Sequence, residues 1–192
     1  FGGAVSAGGN ADTNGIGDFA YAPPTDFLAC CSSNLPELTI SPNVATQSTD
    51  YFNAFLYAGN DDATRTFDIG FVSDWAWFKA DANSYGHQLY DSSRGVTKRL
   101  VSNTTAAETT NAEGVLDFDD GGTLLKIGTD AFINEDGTDV IIWNWKANGG
   151  TTTTNDASAT SIGSQDSVHQ ANTTAGFSIV TYTGTGSNDT FA

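Results

Sequence analysis

Val140-Ile-Ile-Trp-Asn-Trp-Lys146 sorts its side chains into two sets, Ile141, Trp143 and Trp145 in one, Val140, Ile142, Asn144 and Lys146 in the other. A period of two is that of an extended strand, whose successive side chains leave opposite faces. One apolar set and one mixed set suit a sheet with one face in a core and the other partly wet. Tyr51-Phe-Asn-Ala-Phe-Leu-Tyr57, Trp75-Ala-Trp-Phe-Lys79 and Phe177-Ser-Ile-Val-Thr-Tyr182 are of the same kind: short, aromatic or β-branched, and bounded by Gly, Asn or Asp. Asp119-Asp-Gly-Gly122 separates an extended 115–118 run from Leu124-Leu-Lys-Ile127, and Asn134-Glu-Asp-Gly137 separates an extended 131–133 run from 140–145, so both read as hairpin turns. The one stretch of helical composition, 104–113, is Thr-rich and has no apolar stripe. These signals predict an all-β chain: an antiparallel β-sandwich, rather than a barrel filled by ligand.

Composition narrows the function. The 192 residues carry 23 acidic and 7 basic side chains, a formal charge of −16. A body so negative repels phosphates and anionic lipid surfaces, which speaks against nucleic-acid and membrane partners. No run approaches the roughly 18 apolar residues of a membrane helix, and no basic segment precedes an apolar one as in a secretion signal. With 39% apolar residues, 12 Phe, 6 Tyr and 4 Trp, the chain can build a core. Methionine is absent even at position 1, so the chain reads as a fragment or a processed product. Cys30 and Cys31 are adjacent, a spacing that opposes a disulfide between them, and they read as two small buried thiols.

Three blocks of composition are visible. Residues 1–40 open on Gly, Ala and Asn and continue through Gly17-Asp-Phe-Ala-Tyr-Ala-Pro-Pro-Thr-Asp-Phe-Leu28 and Asn34-Leu-Pro36. Residues 41–50 read as a linker, 51–150 as a central domain, and 151–176, rich in Thr, Ser, Asn and Gly, as a second linker. Phe52-x4-Tyr57-x-Gly59-Asn60 matches Phe177-x4-Tyr182-x-Gly184-Thr185, so 177–192 reads as the start of a second copy of the domain, with a closing strand of the same sandwich as the alternative.

Taken together, Tyr51-Phe-Asn-Ala-Phe-Leu-Tyr-Ala-Gly-Asn60, Ile69-Gly-Phe-Val-Ser-Asp-Trp-Ala-Trp-Phe-Lys79, Leu89-Tyr-Asp-Ser-Ser-Arg-Gly-Val-Thr-Lys98, Asn134-Glu-Asp-Gly137 and Trp143-Asn-Trp-Lys-Ala-Asn-Gly-Gly150 resemble a β-rich domain of unknown function that recurs in structural proteins of marine bacteriophages. Gly176-Phe-Ser-Ile-Val-Thr-Tyr-Thr-Gly-Thr-Gly186 resembles the opening of a tandem copy. The front segment, Asp18-Phe-Ala-Tyr-Ala-Pro-Pro-Thr-Asp-Phe27, is similar to the C-terminal end of a SPRY-type or concanavalin-like sandwich; Ala22 and Asp26 stand where that segment has Thr and Gly. The resemblance implies a jelly-roll-like or lamin-G-like sandwich with partial modules at both ends. It implies a fibre, tail-spike or capsid-decoration protein at the particle surface, with other virion proteins and copies of itself as partners, a trimer among the oligomers it allows. It carries no enzymatic activity and no cofactor.

The residues themselves offer three kinds of site. Asp117, Asp119, Asp120, Glu135, Asp136 and Asp139 supply carboxylates, but at turn positions where bonds to backbone explain them, and neither His87 nor His169 lies near a nucleophile elbow; the expectation is therefore no catalysis. Asp117, Asp119, Asp136 and Asp139 are weak candidates for a structural calcium ion, short of the twelve-residue loop with its distal Glu. Carbohydrate binding needs exposed aromatic faces: Trp75, Trp77, Tyr85, His87 and Tyr90 are the candidates, with at least one of the pairs Trp75/Trp77 and Trp143/Trp145 expected in the core. Arg94, Lys98 and Arg99, three of the seven cations, are candidates either for neutralising nearby carboxylates or for meeting a neighbouring copy. A carbohydrate-binding adhesin module is the alternative function, and a polysaccharide-degrading enzyme the third.

Overall fold

A computed structural model of the protein describes residues 7–35, 40, 44–81 and 83–191. Pro36 of the Asn34-Leu-Pro36 segment and positions 41–43 of the expected first linker lie outside them. The chain divides into two compact units, Phe1–Thr39 and Ile40–Ala192.

The first unit is held by a carboxylate rather than by strands. It contains one antiparallel bridge, Asn10 to Phe19, and Asp12 is nearly buried beside it. Asp12 Oδ1 accepts the N–H groups of Asn14 (3.0 Å) and Ile16 (2.9 Å), while Oδ2 accepts the Ala29 N–H (2.8 Å) and the Asn34 side-chain amide (2.7 Å). Asp26 takes φ of +70°, so the turn after the Pro pair forms without glycine. The expected burial of the two thiols is corrected: Cys30 and Cys31 are free and exposed, because polar bonds organise this segment and the large side chains Tyr21, Phe27 and Leu35 around it are exposed as well.

The second unit is the antiparallel sandwich. Its larger sheet has six strands in the order β1 (Phe52–Ala58), β9 (Asp139–Trp145), β3 (Trp75–Ala80), β4 (Gln88–Asp91), β5 (Lys98–Val101) and β6 (Thr109–Thr110). Facing it is a sheet of β2 (Arg65–Asp68), β8 (Leu124–Ile127) and β7 (Val115–Asp117). The predicted hairpin at 119–122 joins β7 to β8, with Gly121 and Gly122 both at positive φ. The core lies between the layers: Tyr57, Ala76, Phe78, Ala80, Tyr90, Val140 and Ile142 from the larger sheet meet Ile69, Phe71, Val115, Leu125, Ile127 and Ile133. The 131–133 run is corrected from extended to helical: α1 (Ala131–Asn134) is a single turn because the Asp130 side chain caps it by accepting the Phe132 N–H.

Residues 151–176 are corrected from linker to structure. They supply β10 (Thr153–Asn155), the single turn α2 (Ala157–Thr160) and β11 (Ser167–Asn172), and β11 pairs with β12 (Phe177–Tyr182) in a third sheet ordered β10-β11-β12. Low hydrophobicity concealed these strands, whose cohesion is polar: α2 is capped by Asp156, and buried Gln170 binds the main body. The Gln170 amide nitrogen donates to the hydroxyls of Ser92 (2.8 Å) and Ser93 (2.7 Å), and its oxygen accepts the N–H groups of Asn148 (3.2 Å) and Gly150 (3.1 Å). β12 pairs with β11 and with no strand of the six-stranded sheet.

One buried carboxylate gathers these parts. Asp74, fully buried at the entry to β3, accepts the Ser92 hydroxyl (2.6 Å) and the N–H groups of Ala147 (2.7 Å), Gly149 (2.9 Å) and Gly150 (2.8 Å). Gly149 and Gly150 stand at φ of +60° and +74°, the left-handed conformations that turn consecutive amides inward onto one anion. Asp74→Ala leaves these donors without their acceptor; since each unpaired buried group costs about 1–3 kcal/mol, denaturant unfolding should show a loss of about 3 kcal/mol or more.

Asp12 yields a prediction about pH. The Ala29 N–H is the largest influence on its carboxyl, burial opposes it, and the Ile16 N–H, the Asn34 amide and the Asn14 N–H reinforce it; the net effect holds Asp12 below the ordinary carboxylate value. A depressed folded-state value means the stabilisation is present above the unfolded carboxylate value and is lost as pH falls through the folded one. The protection factors at Ala29 and Ile16, the unfolded chain's exchange rates divided by theirs at the same pH, should therefore fall on acidification through that window, and the Asp12→Ala variant should lack that protection at every pH.

Candidate functional site

The alternation along β3 and β9 decides where the large aromatics go. In β3, Ala76, Phe78 and Ala80 are fully buried and Trp75, Trp77 and Lys79 lie on the other face. In β9, Val140, Ile142 and Asn144 are fully buried while Ile141, Trp143 and Trp145 lie on the other face. The two strands are neighbours, and their register sets Trp75 opposite Trp145 and Trp77 opposite Trp143. All four tryptophans therefore share the outer face of the six-stranded sheet, each partly exposed. The expectation that at least one pair would lie in the core is corrected. The inward positions are taken by Ala76, Phe78, Ala80, Val140, Ile142 and Asn144, whereas an indole keeps its polar edge satisfied on the outer face. Trp77 shows this: its Nε1–H donates to His87 Nδ1 at 2.9 Å, which leaves the imidazole proton on Nε2.

Beside Lys79 and His87, aromatic and aliphatic side chains surround the indoles. Trp77 meets Trp143 edge to face with ring centres 5.8 Å apart, Trp145 lies 4.9 Å from Phe52 of β1, and Phe177 of the third sheet stacks on Trp145 at 6.0 Å and 19°. Leu56 on β1 is 67% exposed and continues the surface toward the edge of the sheet. Such a broad, rigid aromatic surface can dock a flat partner, a sugar ring or another protein, through face stacking and apolar burial.

The remaining predicted residues are dispersed. Tyr85 lies half-buried against the core cluster, its hydroxyl donating to Glu135 at 3.1 Å. Tyr90 is corrected as a ligand residue: it is fully buried, on the core side of β4, and burial together with the nearby Asp130 carboxylate pushes its hydroxyl far above the ordinary phenol value. Of the five aromatic and histidine candidates, Trp75, Trp77 and His87 are brought together. Trp143 and Trp145 complete the face; the signal that could have placed them there was the identical two-residue spacing of Trp in both strands, which antiparallel pairing turns into a block of four.

Asp130, the α1 cap, is nearly buried with Tyr90, Asn111 and Arg99 around it; burial is the largest influence and holds its carboxyl above the ordinary value against the bonds from Phe132 N–H, Arg99, Tyr90 and Asn111. Its contacts account for it as a cap. The calcium candidates stay apart: Asp117 Oδ1 accepts the Asp119 N–H within its turn, and among the described residues no group of three or more His, Cys, Asp or Glu side chains is placed to hold an ion. Glu135 is occupied by Tyr85, Asn83 and Thr138.

The basic cluster serves the chain's own carboxylates. Arg94 Nε donates to Asp91 at 2.6 Å and Nη1 to Glu108 at 3.2 Å, with its side chain 14% exposed; Lys98 lies 3.9 Å from Glu108 and Arg99 lies 3.9 Å from Asp130, over the Phe132 ring. Asp91 is itself 1% exposed, so Arg94→Ala strands a buried charge. The expected outcome is a monomer destabilised by about 3 kcal/mol in denaturant titration, since removing one partner of such a pair costs about 3–5 kcal/mol when fully buried.

Comparison with known proteins gives one match. A model for a domain of unknown function, DUF7483, covers residues 47–192. No curated protein and no solved structure matches the chain.

Proposed function

The chain belongs to this family over residues 47–192, and from that premise we propose that it is a structural and binding module of a marine bacteriophage particle: part of a fibre, tail spike or capsid decoration, displayed at the virion surface, with copies of itself and other virion proteins as partners. The front unit is then the end of a preceding SPRY-like sandwich. One observation carries the binding role: the four tryptophans, half-buried, side by side on the outer face of a six-stranded sheet. Exposed apolar area of this kind is costly in solution and is recovered when a partner covers it. The strong negative charge suits dense display, since it opposes nonspecific adsorption to DNA and membranes.

The same face favours a second reading, a carbohydrate-binding module that touches a host surface: Trp77 with its His87 partner offers a ring face beside a polar group, as sugar recognition requires. The two readings separate experimentally. Antibody raised against the folded domain should decorate particles in electron micrographs, and the reading frame should lie among genes for virion components; label on the cell envelope with no particle association would overturn the virion role. The Trp77→Ala, Trp143→Ala double variant should keep its far-ultraviolet dichroism and lose partner binding at least about a hundredfold, as expected for central aromatic anchors. A glycan array on which the intact assembly gives signals that this variant abolishes would select the carbohydrate reading.

A further inference from the structure

β1 ends the six-stranded sheet, with β9 as its one neighbour among the described residues, so its other side presents to them an open row of backbone donors and acceptors. The bonds Lys146 N–H to Tyr51 O and Gly59 N–H to Thr138 O fix the phase of the β1–β9 ladder. Residues 51, 53, 55, 57 and 59 turn their backbone groups toward β9, and Phe52, Ala54 and Leu56 turn theirs outward. The side chains of these three lie on the outer sheet face, where Phe52 is 38% and Leu56 67% exposed. Proteins commonly blunt such an edge with lysine, proline or a bulge. From Tyr51 to Asn60 there is no charged residue and no proline, and the β1–β9 register runs without a bulge.

We propose that the open edge of β1 is the contact through which two copies of this chain join, antiparallel, about a twofold axis at Ala54. In that register Ala54 faces its symmetry mate, Phe52 of each copy faces Leu56 of the other, and the outward backbone groups of all three residues pair. Charge is the argument for a second copy as occupant. Two bodies of −16 repel, so a self-contact must be neutral along its length and attractive at its ends. Arg65 supplies the attraction: its guanidinium donates to the Ala58 carbonyl at the C-terminal end of this edge and lies over the Tyr57 and Phe67 rings, and it has no carboxylate partner among the described residues. Asp50 stands at the N-terminal end of the strand. Antiparallel pairing brings the Asp50 end of one copy to the Arg65 end of the other, twice. The six-stranded sheets then run into one another, and the two tryptophan faces become a single surface through the Phe52–Trp145 contact.

This inference rests on the assembly reading for the kind of partner but not on the virion assignment, and it is tested on the isolated 192-residue chain. Sedimentation velocity over micromolar to millimolar concentration should show a dimer. Leu56→Lys, which adds a charge on the exposed edge without touching the β9 ladder, should raise the dissociation constant at least about a hundredfold with unchanged dichroism, while Val180→Lys, on the exposed side of edge strand β12, should leave it unchanged. If Leu56→Lys fails to fold, Ala54→Lys at the twofold position takes its place. A chain monomeric at every concentration overturns the proposal. So do a trimer, a dimer insensitive to both edge variants, and a dimer abolished by Val180→Lys; each of these leaves the particle-labelling test of the virion role standing on its own.

Discussion

A single carboxylate, buried where four segments meet, fixes how the larger unit is put together. Asp74 draws the amides of residues 147, 149 and 150 and the Ser92 hydroxyl onto itself. An anion at that depth is tolerable only with such a full complement of donors, so the chain after β9 must curl back at Gly149 and Gly150 and the turn after β4 must present Ser92. Two groups so positioned, the Gly150 N–H and the Ser92 hydroxyl, are also the partners of Gln170. The third sheet is thereby joined to the sandwich through the Asp74 knot.

The tryptophan face follows from the alternation of side chains along the strands. With Ala76, Phe78, Ala80, Val140 and Ile142 committed to the interior, the alternate positions of β3 and β9 have nowhere to go but outward, and six of those positions hold four tryptophans, one isoleucine and one lysine. Antiparallel pairing then sets Trp75 beside Trp145 and Trp77 beside Trp143, so that the outer face carries an unbroken aromatic block. Arg94 and Arg99, by contrast, lie against the chain's own buried Asp91 and Asp130, while Lys98 stays partly exposed beside Glu108.

Much of the fold was legible because strand periodicity and Asp-Gly turns are local signals: the strands β1, β3, β9 and β12 and the 119–122 hairpin are visible in the residues alone. Which face of a strand looks inward is not local. Asn144 among the inward residues of β9 argued for a wet side, yet it is fully buried, its amide oxygen accepting the Ser73 hydroxyl at 3.1 Å, and the Trp-bearing side faces out. The 151–176 stretch was illegible for a related reason: its order comes from the Asp156 cap and from the Gln170 bonds to distant segments, polar interactions that leave no trace in hydropathy. Of the site, Trp75, Trp77 and His87 could be nominated one strand at a time, but their union with Trp143 and Trp145 required the β3–β9 register.

The amide of Gln170 carries an implication for thermal behaviour. Each of its ends is committed to a different loop of the sandwich, so peeling the third sheet away strands donors and acceptors on both sides at once, along with the Phe177 ring that leaves Trp145. Detachment of that sheet and loss of the sandwich are thus coupled steps, and the polar stretch after residue 150 melts in one cooperative transition with the aromatic body rather than fraying ahead of it.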